Sequence, residues 1–414
     1  MAKIKPFCGI RPSQEHIKEV ASPPYDVLNS QEARKEVENK PLSFLHVVKP
    51  EIDLPKDIDL YDKRVYEKGR DNLNNLINNK ILIQDKEPCF YLYRLIMGKI
   101  DQTGLVATAS IEDYEQDIIK KHEHTRADKE ADRIKHVDTL NANTGPVFLT
   151  YRAKLEMDEL VADSQNNKPL YDFVADDGIR HIFWKITDKE RIKQIERIFR
   201  NIDHLYVADG HHRSASGTKV GQKRRQQNPN HTGDEEYNFF LAVIFPHDQL
   251  YIMDYNRVVK DLNGLTNDEF LDRLKENFEL KQNKDGAVYR PQKLHEFGMY
   301  LEGKWYRLTA KKNTYPADNP VESLDVSILQ NNLLSPILDI GDPRKDERID
   351  FVGGIRGLEE LERRVDKGDA VAFSLFPTSI EQLMAIADAN KVMPPKSTWF
   401  EPKLRSGVIV HLLD

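Results

Sequence analysis

Leu205-Tyr206-Val207-Ala208-Asp209-Gly210-His211-His212-Arg213 is the stretch on which the fold turns. Its first four residues are short and apolar, as in a buried strand. Gly210 then permits a tight turn, because glycine has no Cβ and tolerates dihedrals that other residues avoid. From His211 a helix is expected, ending in the basic run Lys223-Arg224-Arg225 and an exposed loop to Asn230. A strand that hands over directly to a helix leaves bare amide N–H groups at the helix start, where an anion can bind. His211 and His212 add movable donors, and Arg213 adds a planar cation suited to phosphate or carboxylate. Asp209, at the strand end, could hold Mg²⁺ or accept a proton from an attacking hydroxyl. The plainer alternative is an N-capping aspartate followed by surface histidines. Packing alone does not explain five such residues directly after a buried strand.

Working outward, strands are expected at residues 44–48, 90–97, 105–110, 147–151 and 181–185. The most apolar run, 239–245, reads as a central strand, with 250–253 as its hairpin partner. Helices are expected at 30–39, 61–79, 189–202 and 380–390, the second with Val65, Leu73 and Leu76 on one stripe. Beyond residue 260, helices and strands alternate, with a hairpin around Gly303-Lys304 and a strand at 370–375. The fold class is α/β in the mixed α+β sense. The division expected is a phosphate-binding core with an N-terminal elaboration over 1–260 and an α+β unit over 261–414, packed on the core.

The 414 residues are 31% charged and 39% hydrophobic, a globular composition, with net charge -7. That balance supplies no global field toward nucleic acid or anionic lipid; only Lys223-Arg224-Arg225 offers a local basic patch. With two cysteines, Cys8 and Cys89, there is no disulfide framework. No apolar run approaches membrane-spanning length, so a cytoplasmic protein is expected.

A second dense segment is His122-Glu123-His124-Thr125-Arg126. Thr125 with Asp128 three residues on predicts a helix cap there. His122 and His124 alternate as metal ligands on a strand can, but no cysteine partner or His-Glu-x-x-His helix accompanies them. Glu123 is the candidate general base; a solvated charged helix is the plainer reading. Asp26 stands on a loop stiffened by Pro23-Pro24, and Lys396-Ser397-Thr398 after Pro394-Pro395 could contact an anion. Tyr255-Asn256-Arg257 could bind or brace a corner, and the glycine-rich 351–357 stretch fits neither the P-loop nor the dinucleotide pattern.

Pro6-Phe7, Ser22-Pro23-Pro24-Tyr25-Asp26-Val27, His122-Glu123-His124-Thr125, Asp209-Gly210-His211-His212-Arg213, Tyr255-Asn256-Arg257 and Met393-Pro394-Pro395-Lys396-Ser397-Thr398 fall in the order seen in proteins of the domain of unknown function 1015. The chain resembles that family over essentially its whole length. More distantly, the Asp209–Arg213 turn is similar to the Asp-Gly-His-x-Arg turn of free serine kinases with the ParB/sulfiredoxin-like fold. The resemblance implies a core of that fold, with Gly210, His211, His212 and Arg213 cradling phosphate and Asp209 acting at Mg²⁺ or the hydroxyl. It implies ATP, ADP or pyrophosphate as co-substrate and L-serine or O-phosphoserine as the small partner. The acidic base of those kinases comes from an early segment that does not align, leaving Glu123 and Asp26 as candidates. His122, His124, Thr125, Arg126, Lys396 and Ser397 are the expected substrate contacts. Two other function classes compete: a nucleotide-responsive ParB-like regulator or DNA-binding protein, and a metal-dependent hydrolase built on His122, His124, His211, His212 and Asp209.

Overall fold

The strand and helix on either side of Gly210 form as their residues predict, Leu205–Asp209 extended and His211–Gln227 helical. The structure, a computed structural model, describes the backbone of residues 1–414 and every side chain except that of Asp285. The chain divides into two compact units, Met1–Leu250 with Pro402–Asp414, and Tyr251–Glu401. The first unit is therefore discontinuous: its last segment returns after the second has been completed.

The first unit is built on a mixed nine-stranded sheet. Its strands are β1 (Ile4–Lys5), β2 (Phe90–Met97), β3 (Ile100–Ser110), β4 (Ile119–Lys120), β5 (Val147–Tyr151), β6 (Tyr171–Val174), β7 (Arg180–Ile186), β8 (Leu205–Asp209) and β9 (Phe239–Pro246). The order is β4-β8-β5-β9-β3-β2-β7-β6, with β1 added against β3. Only β4–β8 and β5–β9 pair in parallel. Every residue of β5 and β9 is buried, as expected of strands covered on both faces. On one face, Ile195, Ile198 and Phe199 of the Lys189–Arg200 helix join Leu149, Val207 and Ile244 in a common core.

The His211–Gln227 helix is buried through small residues rather than through an apolar stripe: Ser214, Ala215, Ser216, Gly217 and Gly221 are all buried. A Cβ at Gly221 would stand 2.4 Å from the carbonyl oxygen of Tyr237 and from Ile111 Cδ1, so only glycine permits this approach. The returning tail is stitched into the same unit. Ser22 and Ser406 exchange backbone hydrogen bonds, as do Ile10 and Val410, and His411–Leu412 pairs with Ala142–Asn143.

The second unit carries a six-stranded antiparallel sheet that includes Tyr255–Val259, Glu296–Leu301, Lys304–Ala310 and Val371–Leu375. The protein is mixed α/β.

Three local expectations are corrected. Residues 44–48 are not a strand: Leu45–Val48 is a short helix whose apolar side chains are buried. A short segment with four apolar residues in five serves a buried helical turn as well as a strand. Residues 250–253 are not the hairpin partner of β9; a 3₁₀ turn at His247–Gln249 intervenes, and Tyr251–Met253 pairs with Trp399–Glu401 in the second unit. Finally, Thr125 does not cap the following helix, which starts after Arg126 at Ala127; its hydroxyl donates to Glu130 instead.

Candidate active site

Gly210 adopts φ +93° and ψ +33°, the left-handed region that its missing Cβ makes available. This residue turns the chain sharply from β8 into the helix. The Gly210 amide donates to Asp209 Oδ1 at 2.8 Å, while the amides of Arg213 and Ser214 turn back to the Gly210 carbonyl. The amides of His211 and His212 have no acceptor among the described residues. They are the open donors of a helix start, where the aligned peptide dipoles favour negative charge.

Arg213 lies on the inner side of this turn. Its guanidinium donates from Nη1 to the Pro146 carbonyl and places Nη2 3.6 Å from Asp26 Oδ2 and 3.8 Å from Asp209 Oδ2. Arg213 Nε is buried with no partner among the described residues. Burial alone would disfavour its charge, but Asp26 and Asp209 outweigh that and hold it a fixed cation. Asp209 is held from the other side by Lys403 Nζ, 3.2 Å from Oδ2. Burial raises the affinity of its carboxyl for a proton, yet Lys403 and Arg213 together keep it well below the usual carboxylate range.

Around this pair the histidines collect. His122 and His211 meet edge to face with ring centres 4.4 Å apart, and both are buried. Burial holds the two imidazoles neutral: His122 is brought down to about 4, and His211 lies well below its ordinary value. Glu123 Oε2 stands 3.7 Å from His211 Nδ1, although its side chain is 47% exposed. Asp26 is 40% exposed, and both early carboxylates thus reach the turn while remaining open to a ligand from outside. Behind Arg213 lies a small cavity of about 30 Å³, lined among others by Tyr25, Arg133, His136, Asn143 and Ser216. Such a space is too small for a substrate.

The structure thus brings Asp26, His122, Glu123, Asp209, Gly210, His211, His212 and Arg213 to one place. Thr125 and Arg126 stand in the segment just beyond, bonded to Glu130 and Asp128, and His124 is exposed there. Lys396 and Ser397 belong to the second unit. There Arg257 donates to the Lys396 carbonyl, and Ser397 ties its hydroxyl to Pro394 and its carbonyl to Thr378. Lys403 carries no signal in the sequence, since no motif surrounds it and its partner is 194 residues away. The basic run is engaged as well: Lys223 and Arg224 pair with Asp138, and Arg225 pairs with Glu115.

Mg²⁺ prefers carboxylate, phosphate and water oxygens in a near-octahedral shell. At Asp209, Oδ1 already accepts from Gly210 and Oδ2 from Lys403. This carboxylate therefore fits an anchor for two cations better than a Mg²⁺ ligand.

The chain matches the family model described as "Protein of unknown function (DUF1015)" over residues 4–327. The protein belongs to the DUF1015 family. No curated protein is detectably similar in sequence. Among solved structures, this family member is similar to a free serine kinase in complex with AMP, at 14% identity and TM-score 0.35, covering 72% of this chain and 86% of that one. It is also similar to SbnI with C-terminal truncation from Staphylococcus aureus, at 12% identity and TM-score 0.40, covering 74% and 87%. A conserved hypothetical protein from Pyrococcus furiosus matches at 15% identity and TM-score 0.37, covering 75% and 95%. Among the described residues, no helix is long and apolar enough to cross a membrane.

Proposed function

We propose that the protein is a phosphotransferase acting on a small hydroxyl compound. The best candidate pair is L-serine and O-phosphoserine, with ATP, ADP or pyrophosphate as phosphoryl donor or acceptor. One observation carries this reading: two acceptor-free amides at the start of the His211–Gln227 helix stand beside a buried arginine whose Nε has no partner among the described residues. Phosphoryl transfer needs mainly positioning and neutralisation of charge spread over phosphate oxygens. The His211 and His212 amides and Arg213 supply both. Lys403 and Asp209 fix the guanidinium from behind, so its orientation does not have to be established when the ligand arrives. Asp26, 3.6 Å from Arg213, and Glu123, 3.7 Å from His211, are the two carboxylates placed to take the hydroxyl proton. The similarity of the Asp209–Arg213 turn to that of free serine kinases makes serine the acceptor to try first. Mg²⁺, where it takes part, enters on the phosphates. Free serine and nucleotides are cytoplasmic pools, and the reading places the protein there.

The test is incubation with L-serine and, in turn, ATP, ADP and pyrophosphate with Mg²⁺, following O-phosphoserine by ³¹P NMR, together with the reverse reaction. Formation of phosphoserine, or its consumption with ADP or phosphate, supports the proposal. No turnover in either direction with any of the three would overturn it.

A further inference from the structure

Three side chains at the edge of the turn have a geometry that phosphate binding does not require. One ligand atom each from His122, Glu123 and His211 lies within 4.8 Å of the other two. In a four-coordinate shell with bonds of about 2.0–2.2 Å, ligand atoms stand roughly 3.3–3.6 Å apart. No pair of these atoms therefore has to close by more than about 1.5 Å to reach that spacing, and the Glu123 side chain, 47% exposed, stands at the solvent edge of the trio. The histidines do not need to move far, because they are buried and packed against each other.

The buried nitrogens add a second, independent observation. His122 Nδ1 is buried with no hydrogen-bond partner among the described residues; in His211 the unpartnered buried nitrogen is Nε2, while Nδ1 is the one that faces Glu123. Leaving such a group unsatisfied costs about 1–3 kcal/mol. The Val207 carbonyl, in the strand that leads to the turn, lies close enough to the His122 ring to act as a hydrogen-bond acceptor. A ring N–H donated to a backbone carbonyl fixes the tautomer and turns the lone pair of the remaining nitrogen outward, which is how metal-ligating histidines are held. Thr218 Oγ1, also buried without a partner among the described residues, lies on the same helix as His211 but brings no ligand of this kind.

We propose that His122, Glu123 and His211 form a binding site for one divalent transition-metal ion of the zinc class, distinct from any Mg²⁺ carried by phosphates. Two neutral imidazoles and one carboxylate suit Zn²⁺, Co²⁺ or Ni²⁺; a hard cation such as Mg²⁺ selects oxygen ligands instead. Three protein ligands leave at least one position of the ion open, as catalytic sites do and structural zinc sites do not. The proposal deepens the phosphotransferase reading by placing a fixed cation next to the phosphate-facing amides, but its evidence does not depend on that reading.

The experiment uses the full chain, stripped with chelator and desalted. Zn²⁺ and Mg²⁺ are titrated separately by calorimetry, and Co²⁺ is followed through its visible ligand-field absorption. One Zn²⁺ or Co²⁺ per chain is expected, with Mg²⁺ not competing at equal concentration. Glu123→Gln, which alters an exposed side chain and should leave the fold intact, is expected to weaken Zn²⁺ binding at least about tenfold, in line with losses seen on disturbing metal sites. His122→Asn should do the same, whereas His124→Gln, its exposed neighbour outside the trio, should bind as the parent does. The site is refuted if the parent takes up neither ion, or if Glu123→Gln and His124→Gln bind equally well. Stoichiometric metal without phosphotransfer would sink the function and leave the site standing; phosphotransfer by a chain that takes up no Zn²⁺ or Co²⁺ would do the reverse.

Discussion

Replacing Gly210 with alanine perturbs both links on which the site depends, the turn itself and the position of Arg213. At φ +93° an L-residue incurs roughly 1–2 kcal/mol for the left-handed conformation alone. The new Cβ would also stand 3.0 Å from Arg213 Nε and 3.2 Å from Cζ, so the guanidinium must shift by a few tenths of an ångström, which weakens its bond to Pro146. That bond contributes about 1 kcal/mol more, for a total near 2–3 kcal/mol. In a unit of this size each kcal/mol moves Tm by roughly 2–4 °C, so a fall of about 5–10 °C is expected by scanning calorimetry. Gly98→Ala provides the control: it also sits at positive φ, +58°, but nothing lies within 4 Å of its Cβ. It should lose only the conformational part and keep full affinity for ATP or pyrophosphate, whereas Gly210→Ala should lose roughly tenfold or more, the loss expected when about 1.4 kcal/mol of anion contact is forfeited. Equal stability losses in the two variants, with affinity unchanged in Gly210→Ala, would refute the idea that this glycine sets the arginine against the anion.

Arg213→Ala removes a charge-assisted donor worth about 1.5–3 kcal/mol, so pyrophosphate affinity by calorimetry should fall roughly 10- to 100-fold while the far-ultraviolet dichroism is retained. His212→Ala should abolish turnover on the same fold, and unchanged kinetics in either variant would move the centre elsewhere. Acidification should destabilise the protein below about pH 6.5, the ordinary histidine value, because buried His136 and His181, both held near 3, stay neutral in the fold while their unfolded counterparts take up protons. The unfolded state binds more protons across that window, so stability is full above it and drops as pH falls; urea midpoints on either side of the window measure it, and His136→Asn should flatten the slope. Lys403→Met removes the ammonium that holds Asp209 from behind and leaves Arg213 on the other side. The Asp209 pKa should rise and pyrophosphate binding weaken, read by NMR titration and calorimetry; an unmoved Asp209 resonance would contradict the assigned anchor.

Much of the first unit could be read directly from residue pattern. The strands at 90–97, 147–151 and 239–246 are long or continuous apolar runs, and the glycine at 210 announces its own turn. The convergence of Asp26 and Glu123 on that turn was legible only as candidacy, because neither local spacing nor composition says which loops meet. Residues 44–48 misled for a physical reason: when all the apolar side chains of a short segment are buried, the alternation that separates strand from helix disappears. Thr125 has a capping pattern but spends its hydroxyl on Glu130, a choice made by side-chain geometry and not by the spacing of the motif. Lys403 was invisible because its partner lies nearly half the chain away.

That distance has a consequence for biosynthesis. Residues 251–401 are contiguous, whereas the first unit is completed only by Lys403 and by the Ser406, Val410 and His411 pairings, all translated later. A nascent chain holding every other catalytic candidate would still lack the anchor behind Asp209. Ligand competence should therefore appear abruptly once that segment emerges rather than gradually during elongation.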